Sequence, residues 1–511
     1  MRRWASALAS VAALATLSAC TDSPSALPTP TTSTPTSPSG PADDPRSDPG
    51  EAPRGLEKFY NQPLNWTDCD SNQCATLTVP LDYNRPGGQT IALPLLRRPA
   101  GEKSQGSIVV NPGGPGGSGT DMAKSANFYL TSTVLDRFDI VGFDPRGVGT
   151  IDCASDADVD AYLASDPTPP SLPAWRSTLA MIGDFGAGCA QLSGVLAAHV
   201  STVEAAKDMD VLRAALGKSA LDYYGASYGT KLGSTYADLF PDHVGRLVLD
   251  GAVAPGIGTY DMTLEQAAGF ETAMTAYLSD CVDSGSCFLG STVDAARQRV
   301  LDLFDQIDAS PLPTASGRDL TLGLAVYGVI TPLYERNYWT LLSAGLQEAI
   351  GGAGDTLLTL ADAYSSRQAD GTYSTNILEA NLAINCLDDP TVYRLPQLLK
   401  AVPEFEDVSP VFGPFLVSAL AGCRGVTDRA GFKTPKIDAP AAAPIVVIGT
   451  TRDPATPYEW AVQLADALDS GVLISRDGDG HTGYNKDNSC VNEAVDSFYL
   501  DGTVPDDGLT C

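Results

Sequence analysis

The chain has 511 residues, 43% of them hydrophobic, which is enough to bury a large core in one or two domains. Its formal net charge is −30, which excludes nucleic acid as a predicted partner because binding nucleic acid needs a basic surface. Only three histidines occur, so a histidine-rich metal site is excluded as well, and no motif predicts a cofactor.

The chain begins with the pattern of a signal peptide. Arg2 and Arg3 precede a short apolar run from Trp4 to Ala19, which is too short for a typical membrane span. Small residues come directly before Cys20, as in a bacterial lipobox. We therefore predict a lipoprotein signal peptide over residues 1–20, with a lipid on Cys20 anchoring an exported protein to the cell membrane, facing the cell envelope or the exterior. An ordinary secretory signal cleaved nearby is the alternative.

Residues 21–55 are rich in Ser, Thr and Pro and predict a flexible tether, because they cannot bury enough apolar surface to offset the entropy of ordering. In the next 200 or so residues, β-prone runs alternate with helical patterns, which predicts an α/β fold with a mostly parallel sheet. Helical patterns then dominate until the strands resume near residue 443. We divide this part of the chain into a first part of the core (56–254), a mainly helical cap insertion (255–440) and a last part of the core (441–511).

The first glycine-rich turn follows a predicted strand at Gly106–Val110 and spans residues 111–119. If the chemistry is acyl transfer, the oxyanion that forms needs two backbone N–H donors. We predict Gly114, in this turn, and Tyr228 as those donors. A phosphate-binding loop is the weaker interpretation, because the turn lacks a Lys-Ser/Thr ending and its prolines remove donors.

Tyr228 lies in the stretch GASYG, which matches G-x-S-x-G between a predicted strand and a predicted helix. A nucleophilic serine on such a strand-to-helix elbow needs very small neighbours, and Gly225 and Gly229 provide them. Ser227 is therefore the predicted nucleophile. A glycine-rich turn that happens to hold a serine is the alternative.

A serine hydroxyl needs a base within hydrogen-bond reach, oriented by an acid, and on this kind of sheet both follow the serine along the chain. His481, after the last predicted strand, is the predicted base. His199 and His243 precede the acid and are interpreted as surface or capping residues. Asp453, directly after the strand at 443–449, is the predicted acid, and Asp250 is the competing one.

The turn after Asp453 could also be purely structural, with the aspartate as its cap. Thr456 and Glu459 match a capping box, and Pro457 suits the first turn of the helix that follows.

The cysteines fall into neighbouring pairs once Cys20 is set aside. An even number of cysteines in an exported chain predicts disulfides, and zinc is a poor alternative because no C-x-x-C pair occurs. The proposed pairs are Cys69–Cys74, Cys153–Cys189, Cys281–Cys287, Cys386–Cys423 and Cys490–Cys511.

Seven motifs in order resemble the actinobacterial tripeptidyl aminopeptidase group of α/β-hydrolases, which are relatives of proline iminopeptidase with a TAP-like C-terminal segment. They are NPGGPGGSG, GFDPRGVG, GASYGTKLGSTYADLFPDHV, LDGAV, AINCLDDP, TTRDPATP and GHTG, and the match runs from about Trp66 to Cys511. The chain is also similar to a lipid-anchored mycobacterial cell-envelope serine hydrolase of this group, described both as a protease and as a carboxylesterase. The resemblance implies an α/β-hydrolase fold and the triad Ser227, Asp453 and His481. One departure is Asn111-Pro112, where proline iminopeptidases carry a histidine.

The predicted function is a membrane-tethered serine hydrolase that releases short peptides from free N-termini. Such an enzyme needs a carboxylate for the substrate ammonium, and Asp388 and Asp389 are candidates; a plain Asp-Asp-Pro turn is the favoured alternative. A carboxylesterase acting on lipid or small esters would use the same triad. A non-catalytic binding lipoprotein would be expected to have a broken triad, which this sequence does not have.

Overall fold

The computed structural model describes residues 48–428 and 431–511. Residues 1–47, with the predicted signal peptide, Cys20 and most of the predicted tether, lie outside the described residues. The described chain is organised around one ten-stranded sheet in the order β1-β2-β3-β5-β4-β6-β7-β8-β9-β10. Its strands are β1 (Thr67–Cys69), β2 (Asn72–Pro80), β3 (Thr90–Arg98), β4 (Gly106–Asn111), β5 (Phe138–Phe143), β6 (Leu221–Ala226), β7 (Val244–Asp250), β8 (Ile445–Arg452), β9 (Gly471–Asp479) and β10 (Leu509–Thr510).

The sheet is antiparallel at one edge and parallel elsewhere. β1, β2 and β3 pair antiparallel, and β3 pairs antiparallel with β5. From β5 through β4, β6, β7, β8 and β9 to β10, all pairings are parallel. This confirms the predicted mostly parallel sheet and the hairpin between β2 and β3. Because ligands of such sheets bind beyond the carboxyl ends of the strands, the site is expected where β4, β6, β7, β8 and β9 end.

Helices cover both faces of the sheet. They are α1 (Glu57–Tyr60), α2 (Gly119–Lys124), α3 (Ser132–Arg137), α4 (Asp156–Leu163), α5 (Leu172–Ser193), α6 (Thr202–Ala215), α7 (Tyr228–Leu239), α8 (Thr259–Asp283), α9 (Val293–Ala309), α10 (Leu322–Leu333), α11 (Trp339–Ile350), α12 (Asp355–Ser365), α13 (Ile377–Asp388), α14 (Leu395–Val408), α15 (Gly413–Leu416), α16 (Tyr458–Ala467) and α17 (Ser489–Asp501). Short 3₁₀ turns lie at Ala126–Phe128, Gly194–Ala198, Pro241–His243, Arg336–Tyr338 and Val417–Ala421.

Side chains alternate between the two faces of the central strands. On β4, Ile108 and Val110 pack in a cluster with Val495 of α17, whereas Val109 packs in the larger cluster with Met209 of α6. This alternation follows from the two-residue period of a strand, and burial on both faces explains the continuous apolar runs in the sequence.

The chain between β7 and β8 is helical, as predicted, and comprises α8 to α15. Its apolar side chains belong to the same buried cluster as Val447 of β8, so the insertion shares the core of the sheet. The helical stretch Leu320–Tyr364 is divided among three helices, α10, α11 and α12. Pro332 lies at the end of α10, and Gly351 and Gly352 follow α11, the latter with φ +92°.

Among the described residues, one helical run, Leu172–Ala198, has the length and apolar composition of a membrane span. Trp175, Leu179 and Ile182 on this run are buried against the helical insertion.

All five predicted cysteine pairs are disulfides in the structure. Cys386–Cys423 joins α13 to the segment after Val417–Ala421, and Cys490–Cys511 joins α17 to the C-terminal residue.

Candidate active site

Ser227 lies between β6 and α7 on a tight elbow. Its backbone has φ 57° and ψ −126°, a costly conformation for a residue with a side chain. Its N–H donates to the Asp250 carbonyl at 2.9 Å. A Cβ on Gly225 would lie 2.4 Å from the Gly229 carbonyl oxygen, and one on Gly229 would lie 2.7 Å from the Asn111 carbonyl oxygen. The two glycines are therefore required by close backbone approach, as the elbow pattern predicts.

Asp453 and His481 are brought together from the ends of β8 and β9. His481 Nδ1 lies 2.9 Å and 2.8 Å from Asp453 Oδ1 and Oδ2. The Asp453 side chain is fully buried and also accepts hydrogen bonds from the N–H groups of Ala455 (2.9 Å) and Thr482 (3.2 Å). These donors stabilise the ionised carboxylate, which can orient the imidazole and balance a positive charge on it.

The Thr456 side chain does not cap helix α16, contrary to the prediction. Helix α16 begins without a side-chain cap, so the predicted capping box of Thr456 and Glu459, with Pro457 inside the first turn, is wrong. Thr456 Oγ1 instead donates to Asp453 Oδ2 at 3.0 Å and lies 3.3 Å from His481 Nδ1. Its N–H also donates to Asp453 at 2.9 Å. The threonine therefore supports the acid rather than the helix.

The His481 imidazole lies beside the segment that contacts the elbow. A Cβ on Gly251 would lie 3.0 Å from His481 Cε1, the carbon between the two ring nitrogens. Gly251 directly follows Asp250, whose carbonyl accepts the Ser227 N–H. Nε2 is buried and has no hydrogen-bond partner among the described residues. This is the arrangement expected for a base whose partner is a serine hydroxyl or a substrate.

Asp250, the competing acid, holds the histidine loop instead. Its Oδ1 accepts from Gly483 N–H at 2.7 Å, and its Oδ2 accepts from Tyr484 N–H at 3.0 Å and from Tyr224 O–H at 2.9 Å. Burial raises the pKa of this carboxyl above its ordinary value. Hydrogen bonding to His481 Nδ1 thus distinguishes Asp453 from Asp250.

The glycine-rich turn after β4 lies against the elbow. A Cβ on Gly113 would lie 2.8 Å from Ser227 Cβ and 2.9 Å from Tyr228 N. Gly113 N–H is engaged by Asn111 Oδ1 at 3.0 Å. The N–H of Gly114, the next residue, has no acceptor within the described ranges, and Tyr228 is the first residue of α7, whose N–H has no intrahelical partner. Both predicted donors are therefore free to bind a ligand.

Asp388 and Asp389, the candidate ammonium acceptors, are engaged within the chain. Asp388 Oδ2 lies 2.7 Å from Lys231 Nζ, and its carboxylate accepts from Thr202 N–H at 3.0 Å. Asp389 accepts from the N–H and hydroxyl of Thr259 at 2.9 Å and 2.6 Å, at the start of α8. Asp388 is thus paired with a cation, and Asp389 is hydrogen-bonded at the start of a helix, so the role of either as an ammonium acceptor stays a prediction.

The other two histidines are paired with buried carboxylates. His199 Nδ1 lies 2.8 Å from Glu204 Oε1, and His243 Nδ1 lies 2.7 Å from Asp210 Oδ1. The His199 side chain is only 13% exposed, and the residue is the C-cap of the 3₁₀ turn Gly194–Ala198, so the capping interpretation fits it better than the surface one. Both histidines lie on the buried charged network around α6, which also holds Arg146.

Sequence reasoning missed a contact from the helical insertion. Tyr334, directly after α10, accepts a hydrogen bond from His481 N–H at 2.7 Å. Its ring packs edge-to-face against the imidazole, with centroids 5.5 Å apart and planes at 88°. No local pattern in the sequence signals this contact, because Tyr334 and His481 are distant in the chain.

A serine on a strand-to-helix elbow, a histidine–aspartate pair in later loops and a mostly parallel sheet define a serine hydrolase of the α/β-hydrolase fold. The family model for TAP-like proteins matches residues 409–511. The chain is 38% identical over 491 residues to serine protease Hip1 of Mycobacterium tuberculosis, covering 90% of this chain and 93% of the relative. The chain therefore belongs to the family of TAP-like α/β-hydrolases.

Two further relatives have different names. Carboxylesterase B of Mycobacterium tuberculosis is 39% identical over 451 residues, with 86% of each chain covered. Tripeptidyl aminopeptidase of Streptomyces lividans is 30% identical over 475 residues, with 88% of this chain and 86% of the relative covered. The family thus includes proteins named for peptide and for ester hydrolysis.

Proposed function

We propose that Ser227 is the nucleophile of this serine hydrolase, His481 its general base and Asp453 the acid that orients the base. Ser227 Oγ attacks the substrate carbonyl and gives its proton to His481 Nε2, and the imidazolium then protonates the leaving group. Gly114 and Tyr228 donate their N–H groups to the oxyanion, and water then releases the acyl group by the reverse sequence. The observation that carries this proposal is the buried, unpartnered Nε2 of a histidine whose Nδ1 is bonded to a buried aspartate.

We further propose that the substrate is the amino-terminal end of a peptide. The helical insertion contacts two sides of the site, with α13 against the glycine-rich turn and Tyr334 against His481. A Cβ on Gly116 would lie only 2.7 Å from the Ile377 carbonyl oxygen of α13. A site bounded on two sides in this way suits the end of a chain better than the middle of a long polypeptide. The relative named tripeptidyl aminopeptidase supports the same substrate class.

Three substrates separate this proposal from a carboxylesterase, which the relative named carboxylesterase B favours. They are an unblocked tripeptide arylamide, its N-acetylated form and a short-chain aryl ester. The exopeptidase proposal expects turnover of the first and at least a tenfold loss of kcat/KM on acetylation, since about 1.4 kcal/mol of ammonium recognition corresponds to tenfold. Turnover of the ester alone would support the esterase.

The nucleophile is tested with a fluorophosphonate probe. Wild-type protein should be labelled, and Ser227→Ala should be neither labelled nor active. Ser234→Ala is a matched control on the following helix, where the hydroxyl donates to the Lys231 carbonyl at 3.2 Å. Labelling of Ser227→Ala at the wild-type rate would refute the assignment.

We also propose that the protein is exported and held at the membrane by a lipid on Cys20. The five disulfides support export, because such bonds persist in oxidising compartments. An alkyne fatty acid fed to cells should label the wild-type protein, whereas Cys20→Ala should be unlabelled and recovered in the soluble exported fraction. Unchanged membrane retention of Cys20→Ala would refute the anchor.

A further inference from the structure

The segment Tyr334–Glu335, which follows α10 of the helical insertion, touches the histidine loop (residues 480–486) in several places. The Tyr334 carbonyl accepts the His481 N–H at 2.7 Å. Glu335 Oε2 lies 2.6 Å from Lys486 Nζ at the far end of the loop. Gly480 has φ +96°, and a Cβ there would lie 2.9 Å from the Tyr334 carbonyl oxygen. The loop and the insertion thus approach so closely that glycine is required at this position.

The Tyr334 side chain is itself held on several sides. Its ring packs against Phe270 of α8, with centroids 5.8 Å apart. Burial raises the pKa of Tyr334 well above its ordinary value, so the hydroxyl stays neutral. The edge-to-face contact with His481 is therefore made by a ring that also packs against α8 of the insertion.

The hydrogen bond to Asp453 fixes His481 Nδ1 but leaves the imidazole free to tilt about that bond. A ring packed edge-to-face restricts this tilt, and such contacts between aromatic rings are favourable beyond the area they bury. We propose that Tyr334 is a positioning residue for the catalytic base. Its carbonyl fixes the backbone of His481, and its ring keeps the imidazole in the orientation in which Nδ1 is bonded to Asp453 and Nε2 stays free.

This inference rests on the proposed triad but is independent of whether the substrate is a peptide or an ester. It also means that the insertion completes the site rather than only covering it. If α10 moved away from the sheet as a lid, the hydrogen bond to the base's own backbone would break. Catalysis therefore requires the insertion in its observed position at the moment of proton transfer.

The test compares Tyr334→Leu, which removes the ring, with Tyr334→Phe, which keeps it. Tyr327→Leu is the matched control, since this tyrosine lies two turns earlier on the same helix and packs on Tyr364 at 4.9 Å. We expect Tyr334→Leu to lower kcat about tenfold on peptide and ester substrates alike, with little change in KM. A tenfold loss corresponds to about 1.4 kcal/mol, which is the size expected for one aromatic contact. Tyr334→Phe should restore at least half of the wild-type kcat, and Tyr327→Leu should keep it.

A spectroscopic measurement separates positioning from a change in the pocket wall. The Nδ1–H proton of His481, assigned by its absence in His481→Gln, should broaden or shift in Tyr334→Leu and stay unchanged in Tyr327→Leu. Labelling by a small fluorophosphonate should slow by the same factor as kcat, because the probe does not occupy the distant parts of a peptide site.

Several outcomes would overturn the inference. Wild-type kcat in Tyr334→Leu would do so. A rise in KM confined to longer substrates, or an equal loss of kcat in Tyr327→Leu, would also do so. If Tyr334→Leu does not fold, Glu335→Gln tests the same contact through the ion pair with Lys486. This variant should lower kcat about twofold to fivefold at unchanged KM, because a partly exposed ion pair contributes an interaction energy of that size. Wild-type kcat in this variant would also overturn the inference. Failure of the triad itself would show separately, as full activity in Ser227→Ala.

Discussion

The two buried aspartates at the histidine loop should give very different variants. Asp453→Asn can keep its oxygen toward the N–H groups of Ala455 and Thr456, which places its NH₂ group against His481 Nδ1. The imidazole is then held as the Nε2–H tautomer, which cannot accept the serine proton. The corresponding change of aspartate to asparagine in a well-studied serine protease lowers kcat by about 10⁴, and we expect a loss of the same order here.

Asp250→Asn should lower kcat far less. An asparagine oxygen can accept one of the two backbone N–H groups, from Gly483 or Tyr484, but its NH₂ group faces the other. One buried unsatisfied N–H costs about 1–3 kcal/mol. If all of that cost falls on the position of the histidine loop, kcat falls by about 5-fold to 150-fold, since 1.4 kcal/mol is tenfold.

The assay is kcat on an aryl ester at saturating substrate, with the fluorophosphonate labelling rate and the thermal midpoint measured on the same preparations. Asp453→Asn should lose almost all activity, whereas Asp250→Asn should keep measurable activity; both should lose some thermal stability, because in each variant the NH₂ group faces a buried backbone N–H. The opposite order of kcat would show that Asp250 is the acid and would refute the assignment made from the hydrogen bonds to His481.

Three further variants test individual contacts. Thr456→Val removes the hydroxyl bonded to Asp453 and should lower kcat about tenfold, while Thr456→Ser should retain it; equal kcat in both would contradict the supporting role. Arg146→Met leaves Asp208 buried without its partner at 2.7 Å and should lower the free energy of unfolding in urea by about 3–5 kcal/mol; a loss below about 1 kcal/mol would contradict it. Burial raises the pKa of the Asp144 carboxyl, so its contribution to stability is present below the ordinary value and is lost as the pH rises through the folded-state value. The thermal midpoint of Asp144→Asn relative to the wild type should therefore rise between about pH 4 and pH 7, and a constant difference would refute this.

The parts of the site that could be predicted from sequence are those fixed by the backbone. The elbow needs glycines at 225 and 229 because carbonyl oxygens lie where side chains would be, so the requirement is visible as a pattern. Asp453 and His481 follow adjacent parallel strands, and the topology of such a sheet brings their loops together. Sequence-local cysteines likewise gave the correct pairing, because each pair lies within one compact segment.

The contacts of the site that could not be predicted are those of side chains with several possible hydrogen-bond partners. Thr456 has the sequence pattern of a helix cap, but a buried carboxylate next to it competes for its hydroxyl and is the stronger acceptor. The contacts of Asp388 and Asp389 with Lys231 and Thr259, from other segments, likewise have no signal in the sequence. Such competition is decided by tertiary packing and leaves no periodic signal.

The three histidines show why pairing with a carboxylate does not by itself identify a catalytic base. His199, His243 and His481 all place Nδ1 within 2.7–2.9 Å of a buried aspartate or glutamate. Within the described residues, however, His481 is the one histidine with a buried ring nitrogen that has no partner. An unsatisfied buried group of this kind costs about 1–3 kcal/mol of stability, and a purely structural role for the histidine would not explain that cost. The cost is explained if Nε2 is kept free for the serine hydroxyl and the leaving group, and Tyr334 then prevents the ring from turning to a different partner.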